Sequence, residues 1–148
     1  MADQPLLKPE VLALRKEIVR AAVACDFNAL AQLALKPDDK FQVSSNAADT
    51  TPPATFWLRR EAAGEPVLAT LVKVLNAPAA LGQPGPEVEQ VVHIWPSAAS
   101  SLPADSDWDA AKSIYPPNEV EGWRAAGRYA GYRALITIDG DWTAYFSG

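Results

Sequence analysis

The stretch Tyr132-Arg133-Ala134-Leu135-Ile136-Thr137-Ile138-Asp139-Gly140-Asp141-Trp142-Thr143-Ala144-Tyr145-Phe146 decides the fold. Two runs rich in aromatic and β-branched residues flank Asp139-Gly140, the pattern of a β-hairpin. A two-residue turn would set Thr137 opposite Trp142 and mix polar with apolar side chains on both faces. A three-residue loop, Ile138-Asp139-Gly140, with Gly140 left-handed, resolves the mixture. It pairs Ile136 with Trp142, Ala134 with Ala144 and Tyr132 with Phe146, all on one face. Leu135, Thr143, Arg133 and Tyr145 then share the other, more polar face with Thr137 and Asp141.

Working upstream, Val91, Val92, His93, Ile94 and Trp95 predict another strand, ended by Pro96. Residues 97–103 are small and loop-forming. Ser106 and Asp109 have the spacing of a capping box and precede a short helical segment over 108–114, closed by Pro116-Pro117. Gly122, Gly127 and Gly131 punctuate the stretch between that segment and the hairpin.

The first half has a different period. Val11, Leu14, Ile18, Ala22 and Cys25 recur at three- and four-residue steps, so 10–24 predicts an amphipathic helix, with Arg15, Lys16 and Arg20 off its stripe. Asp26 caps a second helix over 27–35, which residues 36–39 end. Next come a short strand over 41–45, a polar turn over 46–53, and helices over 54–63 and 67–75. Residues 79–87, with Gly82, Pro84, Gly85 and Pro86, predict an exposed loop. The whole is one α+β domain spanning 1–148, with residues 1–8 flexible and N-terminal helices packed on a small, mainly antiparallel sheet.

Bulk properties narrow the function classes. With 49% apolar residues in 148, the chain can build a core without a disulfide or metal staple. Eighteen acidic against thirteen basic residues leave a formal charge of −5, which disfavours phosphate backbones and anionic membranes. Cys25 is the only cysteine, so no intrachain disulfide forms. Residues 1–9 lack the basic-then-apolar pattern of an export signal, and no apolar run reaches the roughly 18 residues of a membrane span.

Tests for chemistry mostly fail. A single His and a single Cys make no zinc site. Asp105-Ser106-Asp107-Trp108-Asp109 opens like a calcium loop, but Ala110 and Pro116 stand where glycine and glutamate belong. There is no nucleophile elbow. Cys25 continues the apolar helix stripe and reads as a buried structural thiol. Glu61 with Glu65, and Asp139 with Asp141, are generic carboxylates. Gly127 and Gly131 lack the Gly-Lys-Ser/Thr ending of a phosphate loop. Arg124, Arg128 and Arg133 interleave with Trp123, Tyr129 and Tyr132 as in single-strand binders, yet the acidic total argues against nucleic acid.

The segments His93-Ile94-Trp95-Pro96, Gly131-Tyr132-Arg133 and Asp139-Gly140-Asp141-Trp142 resemble a group of small uncharacterised bacterial proteins that end in such a hairpin. The resemblance implies a bacterial origin and a periplasmic or envelope setting if a signal segment has been removed, and no activity. The expectation for function is a non-catalytic binding or structural module, a monomer or homodimer without cofactor. His93, Trp108, Tyr115 and Arg133 are the candidate ligand or partner contacts, and residues 76–90 and 96–118 shape the surface. The alternative is a small hydrolase using His93 with an acidic residue.

Overall fold

The structure is a computed structural model that describes residues 7–35, 41–46, 48–82 and 91–147. Helices α1 (Pro9–Val23), α2 (Phe27–Leu35), α3 (Pro53–Ala62) and α4 (Val67–Asn76) come first. Strands β1 (Ala80–Gly82) and β2 (Val92–Trp95) are next, then a short 3₁₀ turn, helices α5 (Asp105–Ala111) and α6 (Pro117–Ala126), and strands β3 (Tyr132–Thr137) and β4 (Trp142–Ser147). The four strands form one antiparallel sheet in the order β1-β2-β3-β4. The fold is α+β, with the four N-terminal helices layered on the sheet: α4 lies on β3, α2 on β4, and α1 packs against α4 and α2.

The hairpin turn is the predicted one. Gly140 is left-handed at φ 98°, and the Thr137 amide donates to the Asp141 carbonyl across a three-residue loop. Beyond the first pair the register departs from expectation. Ile136 faces Trp142, but Leu135 then faces Ala144 and Ala134 faces Tyr145. Thr143 is therefore the extra residue of a β-bulge, and every later side chain on β4 changes face. Tyr145 enters the main core beside Trp142, while Ala144 and Phe146 turn to the opposite face with Leu135. The Trp142 indole N–H bridges the bulge to the Ala144 carbonyl at 3.0 Å.

An aromatic block fills the space between helices and sheet. Trp57 stacks on Trp142 with ring centres 5.7 Å apart, and Phe41 meets both edge-on. Gln42 pairs with β4 in parallel, exchanging hydrogen bonds with Thr143 and Tyr145. That contact covers the middle of the outer edge of β4, around Ala144, and so blunts the edge of the final strand.

Several other elements depart from the sequence reading. Ala80–Gly82 is a strand within the expected loop, and the remainder of that loop, 83–87, lies outside the described residues, as do 36–39. Helix α6 runs through Gly122, whose missing side chain faces open space, so tertiary support outweighs a propensity penalty of about 1 kcal/mol. Helix α5 starts earlier than expected: the Ala104 amide donates to the Asp107 carboxylate at 2.7 Å, a cap three residues wide that leaves Ser106 out. Asp26 does cap α2, accepting from the Ala29 amide at 3.0 Å.

Two residues at α1 reverse their expected roles. Arg15 is buried; its Nε donates to the Leu75 carbonyl at 2.7 Å and its guanidinium to Asn76 Oδ1 at 2.9 Å. A cation thus closes the negative end of α4. Cys25 is exposed, not buried. Its amide donates to Ala22 and the Asp26 amide to Ala21, with Cys25 left-handed at φ 54°. This is a Schellman ending. Gly64 and Gly127 hold the same place after α3 and α6, so at α1 a cysteine occupies a glycine position.

Candidate functional site

The four residues singled out from sequence fall into two neighbourhoods. His93 sits in the middle of β2, between Leu81 and Ile136 on the adjoining strands, and is 5% exposed. Its ring lies 5.7 Å from that of Trp95, on the face toward the helices. Burial alone pushes its pKa down, with no charged group contributing, so the imidazole is neutral at pH 7. Among the described residues no carboxylate stands at ion-pair distance from it.

Trp108, Tyr115 and Arg133 meet around Tyr129. Trp108 is buried with Ala98, Ala111, Val120 and Tyr129 in a second cluster, apart from the main core. Tyr115 bridges the two clusters. Its hydroxyl accepts from the Tyr132 amide at 2.7 Å, and the Tyr129 hydroxyl donates to the Tyr132 carbonyl at 2.6 Å. The Tyr132 hydroxyl in turn donates to Glu65 Oε1 at 2.7 Å, while Arg60 pairs with Oε2. Arg133 donates to the Tyr129 carbonyl, its guanidinium 5.6 Å from both the Tyr129 and Phe146 rings.

This geometry gives a physical account of Gly131-Tyr132-Arg133. A side chain at Gly131 would overlap the Tyr115 ring and the Tyr129 hydroxyl, so only glycine lets those rings press against the backbone. Tyr132 and Arg133 then fasten the cluster on either side. Burial is the leading cause of the raised pKa at Tyr115, Tyr129 and Tyr132, all of which stay protonated as the hydrogen bonds require. Trp123, edge-on to Tyr115 and Tyr129, is the half-buried rim of the cluster. Of the interleaved Arg and aromatic residues of 123–133, Trp123, Tyr129, Tyr132 and Arg133 are in this way used in packing and internal hydrogen bonds, Arg124 pairs with Asp105 and Glu121 at the surface, and Arg128 is exposed.

An open surface lies elsewhere, along α1. One cleft between α1, α2 and the hairpin turn is lined by Glu10, Ala13, Leu14, Glu17, Leu33, Asp139, Gly140, Asp141 and Trp142. A second, between α1 and α2, shares Glu17 and Leu33 and continues past Arg20, Ala21 and Ala24 to Asp26 and Ala29. Together they make one groove with an apolar floor and carboxylates on its rim. Gly140 closes one end because it packs against the backbone of Glu10. Lys8, in the stretch read from sequence as flexible, caps α1 and pairs with Asp139 at 3.4 Å.

Reading α1 by its buried stripe passes over these residues. The signal is present in the sequence: positions 10, 13, 17, 20 and 24 also recur at three and four residues, marking a second stripe. Carboxylates scattered through a helix do not stand out until the hairpin turn is brought beside them.

Among the described residues no three His, Cys, Asp or Glu side chains group as metal ligands, and no helix is long and apolar enough to cross a membrane. No family model, characterised protein or solved structure matches the chain.

Proposed function

We propose that the protein is a non-catalytic binding module and that the groove along α1 is its recognition surface. The observation that carries this reading is the pairing of an apolar floor with a charged rim between two packed helices. Such a surface can orient a ligand through its rim while binding it through its floor. The Tyr129 cluster supports the reading indirectly, since its hydroxyls already hold the backbone and Glu65 and leave the cluster a scaffold role.

The competing reading is hydrolysis with His93 as base. A neutral, desolvated imidazole is the form a general base needs, but the ring has no carboxylate beside it among the described residues. Incubation with p-nitrophenyl acetate and butyrate discriminates the two. The wild type and a folded His93→Gln variant are expected to release p-nitrophenol at the same rate as protein-free buffer. Turnover in the wild type that His93→Gln abolishes would establish an enzyme and overturn the binding reading.

A further inference from the structure

The groove has a shape and a charge that specify more than generic binding, and the inference rests on the reading just proposed. We infer that its occupant is a basic amphipathic helix of a partner protein, laid along α1 with an apolar stripe on the floor and lysines or arginines toward the rim.

Helix α1 carries two stripes. The buried one, Val11, Arg15, Ile18 and Ala22, faces the interior. The second, Glu10, Ala13, Glu17, Arg20 and Ala24, lines the groove. The three-four spacing of that stripe is the spacing of a helix seam, which repeats about every 3.5 residues. From Glu10 to Ala24 the seam rises about 21 Å at 1.5 Å per residue, matching a partner helix of about fourteen residues.

The opposite wall is α2, with Asn28, Ala29, Gln32 and Leu33 again on one side. Alanines at 13, 21, 24 and 29 keep the floor low, so a third helix can approach to the 8–10 Å or so typical of packed helices. Leu14 and Leu33, both half-buried, give it apolar contact. An extended peptide would find little sheet edge here, because Gln42 already takes the hydrogen bonds of Thr143 and Tyr145 on the outer edge of β4.

Charge selects the partner. Glu10, Glu17, Asp26, Asp139 and Asp141 stand along the groove, against Arg20 in its lining and Lys8 at its end. Five of the chain's eighteen acidic residues meet two of its thirteen basic ones there, so −3 of the net charge of −5 falls on this one surface and −2 on the rest of the chain. Glu10 and Glu17, seven residues apart on one stripe, are placed to meet cations seven apart on the partner. A second copy of this acidic chain is disfavoured by the same field.

The test uses two fluorescein-labelled fourteen-residue peptides with the same leucine spacing, one carrying lysine and the other glutamate at the polar positions. Fluorescence anisotropy gives the affinities, and amide shift mapping by NMR gives the location. The lysine peptide is expected to bind with shifts confined to α1, α2 and residues 138–142, at least about tenfold tighter than the glutamate peptide, and more weakly as salt rises. Glu17→Lys should weaken it about tenfold, whereas Glu119→Lys, an equal change of charge on α6, should leave it nearly unaltered. Thermal melts of both variants check that they are folded. Equal binding of the two peptides, shifts mapping elsewhere, equal effects of the two variants, or no binding up to millimolar peptide would each overturn the basic-helix assignment. The glutamate peptide binding in the groove would leave the binding-module reading standing, and catalysis dependent on His93 would remove that reading independently.

Discussion

The main core and the Tyr129 cluster are both aromatic, yet they are held together by different physics. Around Trp57, Trp142, Phe41 and Tyr145 the rings contact one another and the apolar faces of the helices, and area removed from water supplies most of the stability, with one backbone hydrogen bond each from Trp142 and Tyr145. Around Tyr129 there is less apolar volume, and hydroxyls bound to backbone and Glu65 fix the rings in place. One region tolerates imprecise contacts if its volume is kept. The other depends on a few hydrogen bonds and one glycine. A small secondary cluster under irregular chain can thus be as well ordered as a core, provided that its polar tips are used.

The contrast can be broken at high pH, where the largest effect is expected. Burial raises the pKa of Tyr129 and of Tyr145 above the ordinary tyrosine value. The unfolded chain releases those protons first, so it binds fewer protons than the native state and stability falls as pH rises above about 10. Each such tyrosine costs up to about 1.4 kcal/mol per pH unit. Urea denaturation between pH 8 and 11 should show this alkaline limb. Tyr129→Phe should make it shallower without removing it, because Tyr145 remains. An unchanged slope would mean that the two regions are not both closed to solvent.

Arg15→Met asks whether the main core depends on a buried cation. The change deletes hydrogen bonds to Leu75 and Asn76 at the carboxyl end of α4 and should cost about 3 kcal/mol in denaturant unfolding. Gly131→Ala strikes the Tyr129 cluster and should cost about 2 kcal/mol through overlap with Tyr115. Adding Tyr115→Ala to it should cost less than the sum of the two single changes, as residues in contact do. Additive losses would show that the rings are not pressed on the backbone at Gly131.

Cys25→Gly should stabilise the protein by about 1 kcal/mol, raising the melting temperature, because glycine takes the left-handed position at the end of α1 without steric cost. The smallest effect concerns His93. Its pKa is lowered by burial, so the unfolded chain gains the proton first, and stability falls as pH drops below about 6.5 until the folded-state pKa is passed. His93→Gln should flatten this acid limb if it folds, with urea midpoints at pH 7.5 and 5.5 as the readout.

Legibility in the sequence divides along the same line, between what is local and what is not. Periodicity locates α1 through α4, the strand around His93, and the hairpin with its left-handed Gly140. These signals lie within single segments. The bulge at Thr143 has no local mark; the benefit of turning Tyr145 inward comes from Val67, whose carbonyl accepts the Tyr145 hydroxyl from another part of the chain. The burial of Arg15 depends on α4, and Cys25 leaves its helix stripe because the chain turns back at Ala24. Trp108, Tyr115 and Arg133 stand out in sequence as aromatic or charged residues near loops. Their meeting at Tyr129 needs Gly131, whose role depends on two rings that pack on it in three dimensions. The groove needs α1 and the hairpin turn brought together.

The contact between Glu10 and Gly140 also sets a timetable. The first helices are synthesised long before the strands that cover them. About seventy residues separate the end of α4 from the end of β4, roughly 4–14 s of translation at 5–20 residues per second. Through that interval Trp57 and the inner faces of α1, α2 and α4 wait for Trp142 and Tyr145. The nascent chain therefore keeps those apolar faces uncovered until the final hairpin has been made.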